Sequence, residues 1–130
     1  MRLQQLDHLV LTVRNIEVSC DFYSRVLGME VITFAGGRKA LKFGRQKINL
    51  HVFGREFEPK AAQPTPGSAD LCFLTDLPLA QVQSHLQSCE VSVCEGPVER
   101  TGANGPILSI YLRDPDDNLL EIANPLSDRS

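Results

Sequence analysis

Hydrophobic and polar positions change period several times along this chain, and each change marks an element. The run Leu6-Asp7-His8-Leu9-Val10-Leu11-Thr12-Val13 reads as a strand. Ile16, Phe22, Tyr23, Val26 and Leu27 then fall near helical spacing, with Asn15 or Ser19 as the N-cap and Gly28 as the stop, so a helix is predicted to about Leu27. Three extended pieces follow, at 30–34, 39–43 and 47–53, separated by the turn residues Gly36-Gly37 and Gly44-Arg45-Gln46. The first half is therefore βαβββ. Residues 54–68 hold three prolines and two glycines, which breaks periodicity and marks a connection.

The pattern then starts again. A strand is predicted at 69–75, and Pro78 stands where a helix should begin. Leu79, Val82 and Leu86 give that helix an apolar face up to about Ser88. A short strand at 91–94, a loop at 96–106 and a strand at 107–113 come next. Asp114-Pro115-Asp116-Asp117 is a turn signal before a last strand at 118–123. The expected organisation is one α+β domain over 1–130, with a first βαβββ module at 5–54, a connection at 55–67 and a second βαβββ module at 68–125. One such module has only half a core, so the two should pack on each other or across a dimer, with their cupped sheets lining a cleft.

At 130 residues, with 42% hydrophobic and 22% charged positions, the chain is long enough to fold without staples. Its net charge of -3, with Lys and Arg scattered among acids, provides no basic stripe for a phosphate backbone, so nucleic-acid binding is not expected. No apolar stretch approaches the roughly 18 residues that span a bilayer, and the first residues lead straight into a strand, so a cytoplasmic protein without membrane contact is expected. Cys20, Cys72, Cys89 and Cys94 form no CxxC pair and are expected as free thiols, with Cys72 as a small core hydrophobe in its apolar run.

The repeat gives the chain its candidate chemistry. Aligning the halves sets His8 against Asp70 and, through Ile48-Asn49-Leu50-His51-Val52 and Asn118-Leu119-Leu120-Glu121-Ile122, His51 against Glu121. A divalent transition metal takes this mixture of imidazole nitrogen and carboxylate oxygen and keeps a position open for substrate. Singly, a histidine on an apolar strand is more often a hydrogen-bonded structural residue. Four residues of ligating type at two repeat-related positions shift the balance toward a metal site at His8, His51, Asp70 and Glu121.

The opening Leu6 to Val13, the segment Phe22-Tyr23-Ser24-Arg25-Val26-Leu27-Gly28-Met29-Glu30 and the closing Arg113-Asp114-Pro115-Asp116-Asp117-Asn118-Leu119-Leu120-Glu121 resemble the vicinal oxygen chelate superfamily, which includes glyoxalase I, extradiol dioxygenases and bleomycin-binding proteins. Arg38-Lys39-Ala40-Leu41, Asn49-Leu50-His51, Glu56-Phe57-Glu58-Pro59-Lys60-Ala61-Ala62 and the stretch from Gly96 to Ala103 carry a closer likeness to the glyoxalase domain-containing protein 5 group. The resemblance implies paired βαβββ modules, ligand positions at His8, His51, Asp70 and Glu121, and one divalent ion per site (Ni, Zn, Co, Mn or Fe). Glyoxalase I commonly has Glu at the place of His51 and His at that of Asp70, so the ligand types here are redistributed.

A glyoxalase-like lyase or isomerase acting on a small molecule with vicinal oxygens is the first expectation, with Glu121 as proton shuttle and glutathione as a candidate co-substrate. An Fe(II) extradiol dioxygenase is the second, because Tyr111 resembles a tyrosine such enzymes place beside the diol; ordinary packing against a helix explains Tyr111 equally well. A drug-binding module is the third, and the absence of Trp, with two Tyr and six Phe, offers it few stacking platforms. Arg38, Lys39 and Arg100 are candidates for gripping an anionic tail of the substrate. A homodimer is expected from the family's habit, and residues 54–68 and 96–106 are expected as loops able to close over the cleft.

Overall fold

The alternating start of the chain becomes strand β1 (His8–Val13), and Asn15 then opens helix α1 (Ile16–Arg25) by accepting the Val18 N–H at 3.0 Å on its side chain. The computed structural model describes residues 1–126. At the end of α1, Gly28 takes φ +70°, and the Gly28 and Met29 N–H groups return to the carbonyls of Ser24 and Tyr23. Strands β2 (Glu30–Phe34), β3 (Arg38–Phe43) and β4 (Gln46–Val52) follow, and the sheet has the order β1-β4-β3-β2, with β4 parallel to β1 and the other pairs antiparallel.

One face of this sheet is apolar throughout, with Leu11, Val13, Leu41, Ile48 and Leu50 each buried, and Phe22, Tyr23 and Val26 from the α1 region complete the layer. Ladder partners project from the same face, so the other face can be read in rows. One row runs His8, Lys47, Lys42, Glu30; the next is Val10, Asn49, Ala40, Ile32. Beyond the last β3–β4 pair, Ala40 with Asn49, lie Thr12 paired with His51 and Arg38 paired with Phe34, and Arg38 Nη2 comes 3.3 Å from His51 Nε2.

The second unit, from Ala69 onward, repeats the plan. It contains β5 (Asp70–Leu74), α2 (Leu79–Ser88), β6 (Glu95–Gly102), β7 (Gly105–Arg113) and β8 (Leu119–Pro125), in the sheet order β5-β8-β7-β6. Pro78 leads into α2, and Asn124 supplies the missing cap: its Oδ1 accepts the Leu79 N–H at 2.9 Å while its Nδ2 donates to the carbonyls of Thr75 and Leu77. Leu79, Val82 and Leu86 bury their side chains, as do Ile110, Leu112, Leu120 and Ile122 of the sheet. The opposite sheet face carries Asp70 beside Leu119, then Cys72, Glu121, Tyr111 and Glu95 in a row, then Leu74, Ala123, Ser109 and Val98. The fold is α+β, with two βαβββ modules, each closing a mixed four-stranded sheet.

Three expectations are corrected. Residues 91–94 form no strand, and the stretch expected as the loop 96–106 is instead β6, a two-residue turn and the start of β7. Gly96-Pro97 and Gly102 read as breakers, yet they sit at a bulge between Glu95 and Val98 and at the hairpin end, where the backbone needs them. A Cβ on Gly96, at φ +103°, would stand 2.4 Å from the Ser109 carbonyl oxygen. That stretch is therefore a paired hairpin and not a mobile cover. Thirdly, the repeat is shifted by two residues at its second position. Val10 pairs with Asn49 as Cys72 pairs with Glu121, so the counterpart of Glu121 is Asn49, and His51 corresponds to Ala123. No helix among the described residues is long and apolar enough to cross a membrane.

Candidate functional site

In the second unit, the tight turn Asp114-Pro115-Asp116-Asp117 delivers Glu121 to its place. The Asp114 carboxylate accepts the Asp116 and Asn118 N–H groups and the Asn118 side-chain amide at 2.8–2.9 Å, and Asn118 Oδ1 accepts the Ala69 N–H at 2.8 Å. This locks the start of β8 to the start of β5. Two residues further along, Glu121 projects onto the open sheet face, where the buried Ser109 hydroxyl donates to its Oε2 at 2.5 Å. A hydrogen bond to a carboxylate is among the strong ones and fixes one of its two oxygens.

Tyr111 is the ladder partner of Glu121, and its hydroxyl accepts the Arg100 Nε–H at 3.0 Å; Arg100 also reaches Glu95 at 3.5 Å. Tyr111 thus stands on the open face beside Glu121, not against the helix. Leu74, Ile107 and Leu126 join Arg100, Tyr111 and Glu121 around a cavity of about 590 Å³. Cys72 lines it too, which corrects its expected place in the core: it is exposed on this face. Desolvation, followed by the charge and hydrogen bonding of Glu121, pushes its thiol up to about 11, so it stays protonated at neutral pH. Asp70 lies on the same face, exposed.

In the first unit, His8 is exposed at the edge of the open face, and its Nδ1 meets the Asp7 carboxylate at 2.8 Å. That pairing draws the Asp7 carboxyl below its ordinary value and engages His8 through Nδ1. A carboxylate behind one imidazole nitrogen is the support that metal-ligating histidines take. Asn49 Oδ1 is buried on this face and has no hydrogen-bond partner. His51, by contrast, is 3% exposed, with Nε2 3.3 Å from Arg38 Nη2 and its ring edge-on to Phe57 at 5.5 Å. Burial and then the Arg38 charge depress its pKa.

For a divalent ion, the donor chemistry fits in kind: His8 and an unpartnered amide oxygen in the first unit, and the carboxylates of Asp70 and Glu121 in the second. Among the described residues, no group of three His, Cys, Asp or Glu side chains is disposed to hold an ion. Of the expected residues, the structure brings Glu121, Tyr111 and Arg100 together in one unit and Arg38 and His51 together in the other. Lys39 turns aside to Thr33 Oγ1 at 2.7 Å. Ser109, Asn49, Phe34 and Phe57 were missed; Ser109 left a signal, as a polar residue two positions from Tyr111 in an apolar strand.

A family model for the Glyoxalase/Bleomycin resistance protein/Dioxygenase superfamily matches residues 5–122. Virulence protein STM3117 of Salmonella typhimurium is 58% identical over 123 residues, covering 95% of this chain and 85% of that protein. Its crystal structure matches with a TM-score of 0.95, covering 97% of this chain and 100% of that one. The glyoxalase domain-containing protein RDO1 of Mycosarcoma maydis is 57% identical over 124 residues, covering 95% of this chain and 70% of that protein. At the level of fold alone, the chain is also similar to a lactoylglutathione lyase from Agrobacterium tumefaciens (22% identity, TM-score 0.73, 95% of each chain). The same holds for TnmS3, an antibiotic-binding protein from Streptomyces (21% identity, TM-score 0.75, 97% of this chain and 99% of that one). With the match running from before the first strand into the last, the chain belongs to the glyoxalase/bleomycin resistance protein/dioxygenase superfamily, the vicinal oxygen chelate proteins.

Proposed function

We propose that this chain is a divalent-metal-dependent enzyme of the glyoxalase-like lyase or isomerase type, acting as a homodimer on a small substrate with vicinal oxygens. The observation that carries the reading is the bracing of two ligand-type residues: Asp7 holds His8 Nδ1, and Ser109 holds Glu121 Oε2. Residues that merely fill a surface have no need of such support. The ligand candidates are His8 and Asn49 Oδ1 in the first unit, with Asn49 taking the place expected of His51, and Asp70 and Glu121 in the second. When bound, a divalent ion supplies Lewis-acid polarisation of neighbouring substrate oxygens.

The remaining work falls to side chains. With Oε2 held by Ser109, Glu121 would take a proton from one substrate carbon and return it to the next on Oε1 when that oxygen is not engaged as a ligand. The Tyr111 oxygen accepts from Arg100, which leaves the phenol O–H to donate to a substrate oxygen. Leu74 and Ile107 keep the cavity wall apolar, which strengthens both interactions. Cys72, held protonated, is no nucleophile. Exposed Val10, Phe53 and Leu74 support association with a second copy.

The Arg100–Tyr111 pair beside Glu121 also favours a second reading, an Fe(II) ring-cleaving dioxygenase, in which the same phenol would meet a diol oxygen. The deciding experiment is metal analysis of protein purified without chelator, with His8→Ala and Glu121→Ala alongside, followed by assays on a glutathione hemithioacetal and on catechols. Ni, Zn, Co or Mn lost from both variants, with hemithioacetal turnover, supports the isomerase. Iron with catechol cleavage supports the second reading. No metal after reconstitution overturns both and leaves a binding protein, as the name of TnmS3 describes that relative.

A further inference from the structure

The first unit walls in a cation without supplying it an anion. Arg38 opens β3, and its guanidinium carbon lies 4.2 Å from the Phe57 ring centroid and 5.3 Å from that of Phe34. Its Nη2 is 3.3 Å from His51 Nε2, and its Nε is shielded from solvent with no hydrogen-bond partner. Phe34 carries a second cation, Lys47, whose Nζ stands 4.1 Å from the ring centroid. Among the described residues, Arg38 has no ion pair. The acid whose charge reaches His51 is Glu56, and its carboxylate is engaged by the Gly54 N–H at 2.8 Å.

A guanidinium has five N–H groups and no lone pair, so His51 must present Nε2 as acceptor and carry its proton on Nδ1. His51 therefore does not neutralise Arg38; it orients the planar fork. The aromatic faces stabilise the charge but leave the buried Nε–H of this half-buried cation without an acceptor, and the planar fork matches a carboxylate better than a point charge does. Aromatic walls suit the carbon skeleton that a carboxylate brings with it.

We propose that Arg38, oriented by His51 and walled by Phe34 and Phe57, is a binding subsite for the carboxylate of a small organic acid. The site is complete within the first unit and depends on no bound metal. Its test is side-chain NMR on the metal-free full chain, following the Arg38 Nε–H and the His51 ring during titration with benzoate, acetate, inorganic phosphate and chloride at matched ionic strength. Saturable shifts at both residues with the carboxylates are expected, with none from chloride.

Arg38→Gln should abolish them, and Arg38→Lys should weaken binding about tenfold or more, because an ammonium lacks the fork. Arg45→Gln, in the exposed turn after β3, should bind like the original chain. If Arg38→Gln fails to fold, Arg38→Lys decides: weakened binding supports the subsite and unchanged affinity overturns it. The proposal is equally overturned by shifts that chloride reproduces, by an absence of saturation, or by phosphate binding as tightly as the carboxylates.

Discussion

Replacing Asn118 by alanine tests how the fold holds Glu121. Asn118 is fully buried; its Nδ2 donates to Asp114 Oδ2 and its Oδ1 accepts the Ala69 N–H, each at 2.8 Å. Truncation deletes both bonds and takes from each of two groups a partner that water cannot easily replace. At about 1–3 kcal/mol for each such group, the expected loss is roughly 4 kcal/mol. A domain of this size is stable by about 5–15 kcal/mol, so the variant should stay folded with a clearly lower urea midpoint at an unchanged m-value. In thermal terms, at roughly 3–5 °C per kcal/mol, the shift is about 12–20 °C.

The chemistry of the deficit is checked by Asn118→Asp. That variant keeps an acceptor for Ala69 but turns a second carboxylate toward Asp114, so its penalty should shrink as acid protonates the pair, whereas that of Asn118→Ala should not follow this course. A double-mutant cycle with Asp114→Ala should give a coupling of about 1–3 kcal/mol. A loss below about 1 kcal/mol for Asn118→Ala, or additive effects in the cycle, would refute the claim that this turn fixes the β5–β8 register.

Stability should also depend on His51. Its folded pKa lies below the ordinary value of 6.5, so below that pH the unfolded chain takes up a proton that the folded chain resists. The contribution is fully present above about pH 6.5 and disappears as acid brings the pH down through the lowered value; His51→Gln in chelator-treated protein should flatten this part of the urea-midpoint profile, and an unaltered profile would disprove it. Cys72, although exposed, should alkylate about a hundredfold more slowly near pH 8 than a thiol at the ordinary 9.0, because its value is about 11. Glu121→Gln should recover part of that rate by peptide mapping with iodoacetamide, and no gain would clear Glu121 of the effect. Gly96→Ala combines φ +103° with a Cβ 2.4 Å from the Ser109 oxygen, so a loss of about 2 kcal/mol or more is expected in denaturant. A neutral result would mean that the bulge relaxes freely.

Both helices and most strands were legible because their signals are local. Asn15, Gly28 and Pro78 punctuate, and the apolar spacing between them has one period at a time. The hairpin of β6 and β7 was not, since Gly96-Pro97 and Gly102 look the same in a sequence whether they end a strand or shape a bulge within one. The register slip has a different cause. Asn49 and His51 lie two apart on one strand, so alternation puts both on the same face and cannot say which of them answers Glu121. Only the ladder partner decides, and Val10 across from Asn49 decides for the amide. The meeting of Arg38 with His51 was, however, available: a turn that pairs Phe43 with Gln46 obliges the two to face each other further along.

That corrected register changes what the repeat says about chemistry. If His51 were the counterpart of Glu121, the two modules would each bring two ionisable ligand residues, and divergence between them would be slight. With Asn49 in that place, the row that carries Glu121, Tyr111 and Cys72 in the second unit carries Asn49, Ala40 and Val10 in the first, so in this row a carboxylate stands in the second copy alone. The neighbouring row is unequal in the opposite sense: Ala123 and Ser109 in the second unit stand where the first has His51 and Arg38. In these two rows, the carboxylate of one copy and the Arg38–His51 pair of the other therefore stand at different levels of their two sheets. In one module Arg38 is oriented by His51, and in the other Glu121 is braced by Ser109 beside Tyr111. Arg38→Lys should then act mainly on KM, and Glu121→Gln on kcat. Equal loss of kcat in both variants would argue against the division.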